Sequence, residues 1–141
     1  MKLIPVDPAN EEHLRVLYDL LAERPKEASI SHKKMPTWKG HREFVAHCDY
    51  LDWCLIQEDH GLRSYTWLGA VYLTRANEIG ISVFNYVQNH GHGPNAVVMM
   101  MMKHGERNYY ANVAPNNEAS RKMFAKLGFK LIQVTYALEL K

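Results

Sequence analysis

A glycine-containing turn, Gln88-Asn89-His90-Gly91-His92-Gly93, carries the residue types that point most directly to ligand chemistry. It follows a predicted strand and precedes a predicted helix with Pro94 at its first position. Such a turn directs backbone N–H groups and the positive end of the helix dipole at one place, which attracts phosphate. It is neither a Walker loop nor a Rossmann fingerprint, because it lacks the Gly-Lys-Ser/Thr of the first and the first glycine of the second. A turn that simply needs glycine dihedrals is the alternative interpretation.

A second informative segment covers residues 117–129 and reads NEASRKMFAKLGF. It follows a predicted strand over 108–114. Asn116 or Asn117 can cap a helix that continues to Leu127, and Gly128 is suited to end it. The segment therefore predicts a strand, a capped helix and a further strand in succession.

Taken together and in this order, the two segments resemble the GNAT superfamily of acyl-CoA-dependent N-acyltransferases. The family carries Q/R-x-x-G-x-G/A between its fourth strand and third helix, which Gln88, Gly91 and Gly93 match. It also carries N-x-x-A/S-x-x-φ-Y-x-K-x-G-F after its fifth strand, but Phe124 stands at the tyrosine position. The positions that fit this second motif are Asn117, Ser120, Met123, Lys126, Gly128 and Phe129.

The resemblance implies that acetyl-CoA is the acyl donor and that the fourth and fifth strands splay apart around its pantetheine arm. The turn and the start of the next helix would hold the pyrophosphate, and Asn117 would hydrogen-bond the pantetheine. The N–H of Val83 or Phe84 would stabilise the oxyanion of the tetrahedral intermediate. The implied cofactor-binding residues are Ile81, Ser82, Val83, Phe84, Gln88, Asn89, His90, Gly91, His92, Gly93, Pro94, Asn95, Asn117, Ser120 and Phe124.

Glu78, early on the predicted fourth strand, is the candidate general base. An amine with a pKa near 10.4 costs roughly 4 kcal/mol to deprotonate at neutral pH, and a carboxylate base lowers that barrier. Glu78 as a solvated strand-edge acid is the alternative. Some relatives place a glutamate where this chain has Asn112, which cannot act as a base.

The group that protonates the leaving thiolate is left open, because Phe124 has no proton to donate. The CoA thiolate leaves unprotonated or takes a proton from water or from a tyrosine. The tyrosines considered are Tyr109, Tyr110 and Tyr136.

Composition narrows the class of protein. The chain has 141 residues, 47 % of them hydrophobic, and a formal net charge of +2, which indicates one globular domain over 1–141. Neither a signal peptide nor a membrane span is predicted, and nucleic-acid binding is disfavoured, so a cytoplasmic protein is expected. Cys48 and Cys54 are expected to be reduced and to pack as small buried hydrophobic side chains. No metal site is expected, because His90 and His92 are two residues apart and lack the i, i+4 spacing of a helical metal-binding pair.

The elements predict a mixed α/β fold with a mostly antiparallel central sheet, splayed fourth and fifth strands and flanking helices. A turn is expected over 58–61, and the helix after the glycine turn is expected to be short. Helices are predicted from Asn10 to Pro25, over 41–47, from Pro94 to Gly105 and over 117–127. Strands are predicted over 2–6, 50–57, 67–74, 78–84, 108–114, 129–134 and 136–140.

These patterns predict an N-acetyltransferase that moves acetyl from acetyl-CoA to a primary amine by direct attack in a ternary complex. An amino sugar or other small molecule is favoured over a peptide as acceptor. The alternative is a catalytically silent acyl-CoA-binding sensor or interaction module, and a homodimer is left open. Residues that could line the acceptor cleft, or form a solvated face and core, are the basic stretch His32, Lys33, Lys34, Lys39, His41 and Arg42 and the tryptophans Trp38, Trp53 and Trp67.

Overall fold

The structure is a computed structural model that describes residues 1–24 and 34–140. Its centre is a four-stranded antiparallel sheet in the order β1-β2-β3-β4. The mixed α/β class predicted from the sequence is confirmed. The strands are β1 (Lys2–Pro5), β2 (Asp52–Gly61), β3 (Ser64–Leu73) and β4 (Ile79–Val83), and the α-helices are α1 (Glu11–Glu23), α2 (Trp38–His47), α3 (His92–His104) and α4 (Glu118–Lys126).

Side-chain capping sets where three of these helices begin. The Asn10 side chain accepts from the His13 N–H at the start of α1, and Thr37 accepts from Gly40 at the start of α2. Asn117 caps α4 in the same way. In contrast, α3 begins at His92 after Gly91 and has no side-chain cap. Among the four α-helices of the described residues, α3 alone begins without a side-chain cap, and it begins at the predicted phosphate turn.

The helices cover both faces of the sheet. On one face, the Phe44 ring of α2 meets the Trp53 ring of β2 at 6.2 Å between centroids. On the opposite face, Gly93 of α3 lies against the side chains of Ile81 and Val83 in β4. The buried core fills both interfaces, and its fully enclosed side chains include Leu14, Leu55, Ile56, Leu68, Val71, Leu73, Val97 and Met100.

The hairpin between β2 and β3 turns later than the sequence predicted. Residues 58–61 continue β2, and the turn falls at Leu62 and Arg63, which both have positive φ. The strand continues because Glu58 and Asp59 pair with Thr66 and Tyr65 in the sheet. Cross-strand pairing therefore overrides the local turn preference of these polar residues.

Two helices begin earlier than predicted. α2 begins at Trp38 rather than His41, because Thr37 supplies the cap. α3 begins at His92 rather than Pro94, so Pro94 occupies its first turn and Gly105 ends it as predicted. The helix α3 has 13 residues, close to the length of about a dozen that the sequence allowed.

The predicted strand over 108–114 is wrong as a continuous strand. It meets the sheet through one isolated parallel bridge between Glu78 and Tyr110. The two predicted strands over 129–134 and 136–140 are also wrong, since within the described residues this stretch is in neither strand nor helix and is almost wholly exposed. An apolar alternation predicts a strand only where a neighbouring strand is present to pair with it.

Candidate functional site

A gap separates β4 from the extended segment Tyr109–Ala114. The two run together at the Glu78–Tyr110 bridge, where the Ile79 N–H donates to the Tyr110 carbonyl at 2.7 Å and the Tyr110 N–H donates to the Asn77 carbonyl at 2.9 Å. Beyond this point, no backbone hydrogen bond within 1–24 and 34–140 joins 80–83 to 111–114. The two segments diverge after a single bridge.

The backbone of Ile81 and Val83 faces this gap. Ladder hydrogen bonds alternate along an antiparallel strand. The Thr74 N–H donates to the Glu78 carbonyl and the Phe84 N–H donates to the Leu68 carbonyl, so the even-numbered residues bond to β3. The odd-numbered residues Ile81 and Val83 therefore direct N–H and C=O groups into the gap.

This alternation separates the two oxyanion candidates. The Phe84 N–H is 2.9 Å from the Leu68 carbonyl oxygen and is occupied. The Phe84 side chain is buried and stacks on the Tyr86 ring. The Val83 N–H is the one that faces the gap, and the backbone of Ser82 is directed to β3.

The turn at 88–93 presents a group of unoccupied amides. Within the described part of the chain, no hydrogen bond occupies the backbone N–H groups of residues 89–93. Asn89 and Gly91 have φ of 68° and 79°, and this left-handed backbone turns successive N–H groups outward. Pro94 has no backbone N–H, so the group of amides ends at Gly93. The exposed Asn95 follows Pro94 in the first turn of the helix.

Gly93 places the start of α3 directly beside the gap. A Cβ at this position would lie 3.5 Å from the Met123 Sδ and 3.6 Å from the Val83 Cγ2. The turn, β4 and α4 therefore meet at one place. The Gln88 Nε2 donates to the Asn85 Oδ1 at 3.2 Å.

The residues of the second motif occupy two different environments. The Asn117 Oδ1 accepts from the Ser120 N–H at 3.2 Å, so capping uses the carbonyl oxygen of the Asn117 amide and leaves its Nδ2 donor. Phe124 is 6 % exposed and packs edge-on against Phe129 at 5.0 Å. The ring at the position of the family tyrosine is thus a core side chain.

Glu78 lies at the closed end of the gap and is held by three contacts. Its N–H donates to the Thr74 Oγ1 at 3.0 Å, and the Thr74 hydroxyl donates to its Oε1 at 3.3 Å. The amide of Asn112 donates to its Oε2. The two positions considered for a general base are therefore in direct contact, and the amide orients the carboxylate.

Sequence reasoning missed Tyr72, which lies on β3 opposite Gly80 of β4 and close enough to Glu78 to feel its charge. The position of Gly80 allows this, because a Cβ there would lie 2.2 Å from the Tyr72 Cζ. Burial raises the pKa of the Tyr72 hydroxyl, and the charge of Glu78 raises it further while Arg24 opposes the rise. Tyr50 stacks on Tyr72 at 4.4 Å between centroids. The pairing of Tyr72 with Gly80 could have indicated this position, because an aromatic ring opposite a glycine can lie flat across the neighbouring strand.

The tyrosines considered as proton donors lie in different places. The Tyr109 hydroxyl donates to the carbonyls of Met101 and Gly105 at the end of α3. Tyr110 is 41 % exposed at the bridge, and Tyr136 is 92 % exposed. Tyr110 is the one of the three that borders Glu78.

Two described residues of the basic stretch, His41 and Arg42, lie in different environments. His41 is 2 % exposed, and its Nε2 lies 2.9 Å from the Leu14 carbonyl oxygen. Burial lowers the pKa of His41, which keeps it neutral at pH 7. Arg42 pairs with Glu11, whereas His32 and Lys33 lie outside the described residues.

The three tryptophans are partly buried and pack against the core. The Arg15 guanidinium lies 4.5 Å over the Trp38 ring, and the Tyr50 ring meets Trp53 at 5.0 Å. The Trp67 ring meets His13 edge-on at 5.6 Å. Of the three, Trp53 adjoins the Tyr50–Tyr72 pair.

Both cysteines are free thiols, Cys54 fully buried and Cys48 half-buried. Burial raises the pKa of the Cys54 thiol to about 12, and the adjacent Asp52 charge adds to the rise. Among residues 1–24 and 34–140, no group of three histidine, cysteine or acidic side chains is placed to hold a metal ion. No helix in these ranges is long and apolar enough to cross a membrane.

Comparison with solved structures places this geometry in a known fold. A domain from Methanocaldococcus jannaschii superposes with a TM-score of 0.75 and 21 % identity over 92 % of this chain and 88 % of that one. An aminoglycoside 6'-N-acetyltransferase from Acinetobacter haemolyticus superposes with a TM-score of 0.63 and 15 % identity over 100 % and 99 % of the two chains. A probable acetyltransferase gives 0.59 and 19 % over the same shares. The chain has the fold of the GNAT acetyltransferases.

At these identities the GNAT likeness concerns the fold. No family model and no curated protein matches the sequence. β4 and the Tyr109–Ala114 segment, which diverge after a single bridge, lie where the resemblance to the GNAT superfamily predicts the splayed fourth and fifth strands. A proposal about enzyme activity therefore rests on the residues around this gap.

Proposed function

We propose that the protein is an N-acetyltransferase that transfers acetyl from acetyl-CoA to a primary amine. The observation that carries the proposal is the gap beside β4, which has unpaired backbone groups along one side and unoccupied amides at one end. This combination suits a long ligand that has amide groups in its arm and a pyrophosphate at its end. The acetyltransferase names of two structures with this fold support the same reaction.

In this proposal the donor lies along β4. The pantetheine amides pair with the N–H and C=O groups of Ile81 and Val83, as an added strand would. The pyrophosphate rests on the amides of the 88–93 turn, where the N-terminus of α3 favours negative charge. In the same proposal, the Asn117 Nδ2 donates to the pantetheine arm from the other side of the gap.

The chemistry is a direct attack of the amine on the thioester carbon. The C–N bond forms while the Val83 N–H stabilises the negative charge that develops on the carbonyl oxygen. Glu78 accepts the proton whose loss makes the incoming amine neutral, and after the C–N bond has formed the nitrogen loses its second proton to water. The C–S bond then breaks and CoA leaves as a thiolate, which takes its proton from water or from Tyr110, because Phe124 has none to donate.

The acceptor amine would enter on the face of the sheet that carries Tyr50 and Tyr72. A protonated amine is attracted by aromatic ring faces and by the Glu78 carboxylate at the end of this aromatic pair. The approach of the cation thus brings it to the group that must deprotonate it. A small-molecule amine, such as an amino sugar, suits an acceptor position bounded by two stacked rings.

Calorimetric titration with acetyl-CoA, followed by a thiol-release assay, tests the proposal. The assay would use a panel containing an amino sugar, a polyamine, an aminoglycoside and a lysine peptide. Saturable binding and CoA release with at least one amine are expected. Absence of binding at millimolar acetyl-CoA would remove the basis of the proposal.

The Phe124 ring gives the second candidate function its support. A core phenylalanine at the position of the family tyrosine is compatible with an acyl-CoA-binding module that performs no transfer. Tight binding of acetyl-CoA without CoA release across the whole amine panel would favour this module over the enzyme.

A further inference from the structure

A groove of about 640 Å³ lies between α1, the beginning of β3 and the segment that follows β4. Sites that bind small molecules have volumes of about 300–1,000 Å³. The walls of the groove combine acidic and aromatic side chains, and none of the described residues that line it is basic. In a chain with a formal net charge of +2, the groove is a local excess of negative charge. Its acidic and aromatic residues are Asp19, Glu23, Tyr65, Trp67, Phe84 and Tyr86.

Two carboxylates on one face of α1 make the groove negative. Asp19 and Glu23 are exposed and lie four residues apart, so their like charges are neighbours on the helix and oppose its stability. The Glu23 Oε1 accepts the Asn85 N–H at 2.8 Å. Among residues 1–24 and 34–140, no hydrogen bond or ion pair engages the Glu23 Oε2 or the Asp19 carboxylate. A bound cation would relieve the repulsion between the two carboxylates and pair with these oxygens.

Tyr86 supplies a ring face beside these carboxylates. Phe84 is buried and stacks on Tyr86 with 5.5 Å between ring centroids, so it covers one side of the Tyr86 ring. Tyr86 is itself 60 % exposed, which leaves the other side of the ring accessible. Its hydroxyl donates to the Trp67 carbonyl, and this hydrogen bond fixes the ring in place. Burial raises the pKa of the Tyr86 hydroxyl and the charge of Glu23 raises it further, so the carboxylate and the ring are close neighbours.

The groove lies apart from the proposed acceptor position. Glu78 precedes β4 and Phe84 follows it, and six residues of extended chain cover roughly 20 Å. The groove is therefore at the opposite end of β4 from the candidate base. A ligand in the groove does not present its nitrogen to Glu78, so this site is separate from the proposed acetyl transfer.

We propose that this groove binds a small organic guanidinium compound. A guanidinium is planar, always charged and rich in N–H donors, so it can lie on the Tyr86 ring while it donates to Asp19 and Glu23. An alkylammonium is more strongly hydrated and has no flat face to stack on a ring. The same helix already shows this chemistry, because the Arg15 guanidinium lies 4.5 Å over the Trp38 ring.

Isothermal titration calorimetry with butylguanidine tests the proposal. This probe carries a guanidinium on a short alkyl chain and has no primary amine, so the proposed acetyl transfer cannot consume it. Saturable binding with a dissociation constant of about 1 mM or lower is expected, and butylamine should bind about tenfold more weakly. Absence of binding at about 10 mM butylguanidine, or equal affinities of the two probes, overturns the proposal.

Neutralising the two carboxylates tests their part in binding. The double variant Asp19→Asn/Glu23→Gln keeps the shape of both side chains and should weaken butylguanidine binding by about tenfold or more. The matched variant Asp49→Asn/Glu106→Gln removes the same charge from exposed positions outside the groove and should leave the affinity unchanged. Thermal unfolding of both variants ensures that folded proteins are compared. Equal affinities of the wild type and the first variant contradict the site.

Two substitutions of Tyr86 separate the ring from its hydroxyl. Tyr86→Phe keeps the ring face and should bind butylguanidine within about twofold of the wild type, whereas Tyr86→Leu removes the ring and should bind about fivefold more weakly. An affinity that Tyr86→Leu leaves unchanged, or equal losses in the two variants, would show that no cation stacks on this ring and would overturn the proposal.

NMR spectroscopy of the indole N–H groups locates the bound probe. Trp67 lines the groove, and Trp53 adjoins the Tyr50–Tyr72 pair at the proposed acceptor position. Butylguanidine should shift the Trp67 resonance, assigned with Trp67→Phe, and leave the Trp53 resonance in place. A shift of the Trp53 resonance alone would place the probe at the acceptor position and overturn the separate site.

A peptide probe distinguishes a small-molecule ligand from a protein partner. If the tripeptide Gly-Arg-Gly binds about tenfold more tightly than butylguanidine, the groove is a peptide site and the small-molecule proposal is overturned. Comparable or weaker binding of the tripeptide supports it. None of these readouts requires acetyl-CoA, so failure here is distinct from failure of the proposed enzyme activity.

Discussion

Glu78 is the residue that we propose accepts a proton from the incoming amine. It lies at the closed end of the gap, and Thr74 and Asn112 hold its carboxylate in one orientation. A carboxylate held by two donors before the substrate arrives needs no reorganisation during the reaction.

Glu78→Gln should lower turnover by about 100-fold or more at neutral pH, because the amide cannot accept the amine proton. Activity should recover partly at high pH, where more of the amine is already neutral. The measurement is the pH profile of CoA release, with acetyl-CoA affinity unchanged. Glu106→Gln, on the exposed loop after α3, is the matched control. An unchanged rate in the Glu78 variant would exclude it as the base.

Gly80 and Tyr72 form a second pair whose contact can be measured. Gly80→Ala brings a Cβ to within 2.2 Å of the Tyr72 ring, so the ring must move. Overpacking of this kind costs about 1–3 kcal/mol of stability. Chemical denaturation would measure the loss, and thiol release should fall with it, since Tyr72 lines the proposed acceptor entrance.

The double variant Tyr72→Ala/Gly80→Ala checks the cause. If the ring is what the new methyl meets, the cost of Gly80→Ala largely disappears once the ring is gone. Equal costs of Gly80→Ala with and without the ring would contradict the contact.

The start of α3 differs from the starts of α1, α2 and α4 because no side chain caps it. It begins without a side-chain cap, without an acidic residue in its first turn and with a left-handed glycine before it. The sequence predicted this turn because glycine and proline impose local backbone conformations. An anion is favoured here because helix amides and dipole point to the same place.

His92→Glu should weaken acetyl-CoA binding by about tenfold or more, because a carboxylate competes with the pyrophosphate for the same amides. The fold should not suffer, since an acid in the first turn of a helix is favourable by about 0.3–1 kcal/mol. Met102→Glu, 78 % exposed at the other end of α3, carries the same charge change as a control. Calorimetry and thermal unfolding measure both effects. Equal affinities of the two variants would argue against phosphate binding at the turn.

Sequence patterns predicted elements well where the signal was local. The Asn10 and Asn117 caps and the Gly105 end lie where they were predicted, because a cap depends on residues a few positions away. The 108–114 and 129–140 stretches were predicted as strands and are not, because strand formation depends on a partner that the local sequence does not specify. Tyr72 was missed for the same reason, since its place beside Glu78 depends on cross-strand register.

At the scale of the whole molecule, one charged cluster joins the start of β2 to the end of α3. The Asp52 carboxylate lies 2.8 Å from both the Lys103 Nζ and the His104 Nε2. Burial by itself raises the pKa of Asp52, but hydrogen bonds from Lys103, His104 and Cys54 outweigh burial and lower it. Lys103 correspondingly has a raised pKa, chiefly through its hydrogen bond to Asp52.

This cluster predicts a particular loss of stability in acid. Because the folded protein lowers the pKa of Asp52, its contribution is present above the unfolded value of about 3.9 and is lost as pH falls through the lower folded value. Asp52→Asn should therefore cost about 1–3 kcal/mol at pH 7 and progressively less below about pH 4. Urea unfolding across this range measures the difference, with the exposed Asp49→Asn as control. A cost that does not change with pH would contradict the charged role of Asp52.

The bridge between Glu78 and Tyr110 is the point from which the two sides of the gap diverge, and it lies at the position of the candidate base. In the proposed complex, a bulkier acyl group that widened the gap would move Asn112 relative to Glu78 and so disturb the hydrogen bond between them. The proposal therefore links tolerance for longer acyl chains to the ability of Glu78 to deprotonate the amine. A change that improves one of these properties should disturb the other.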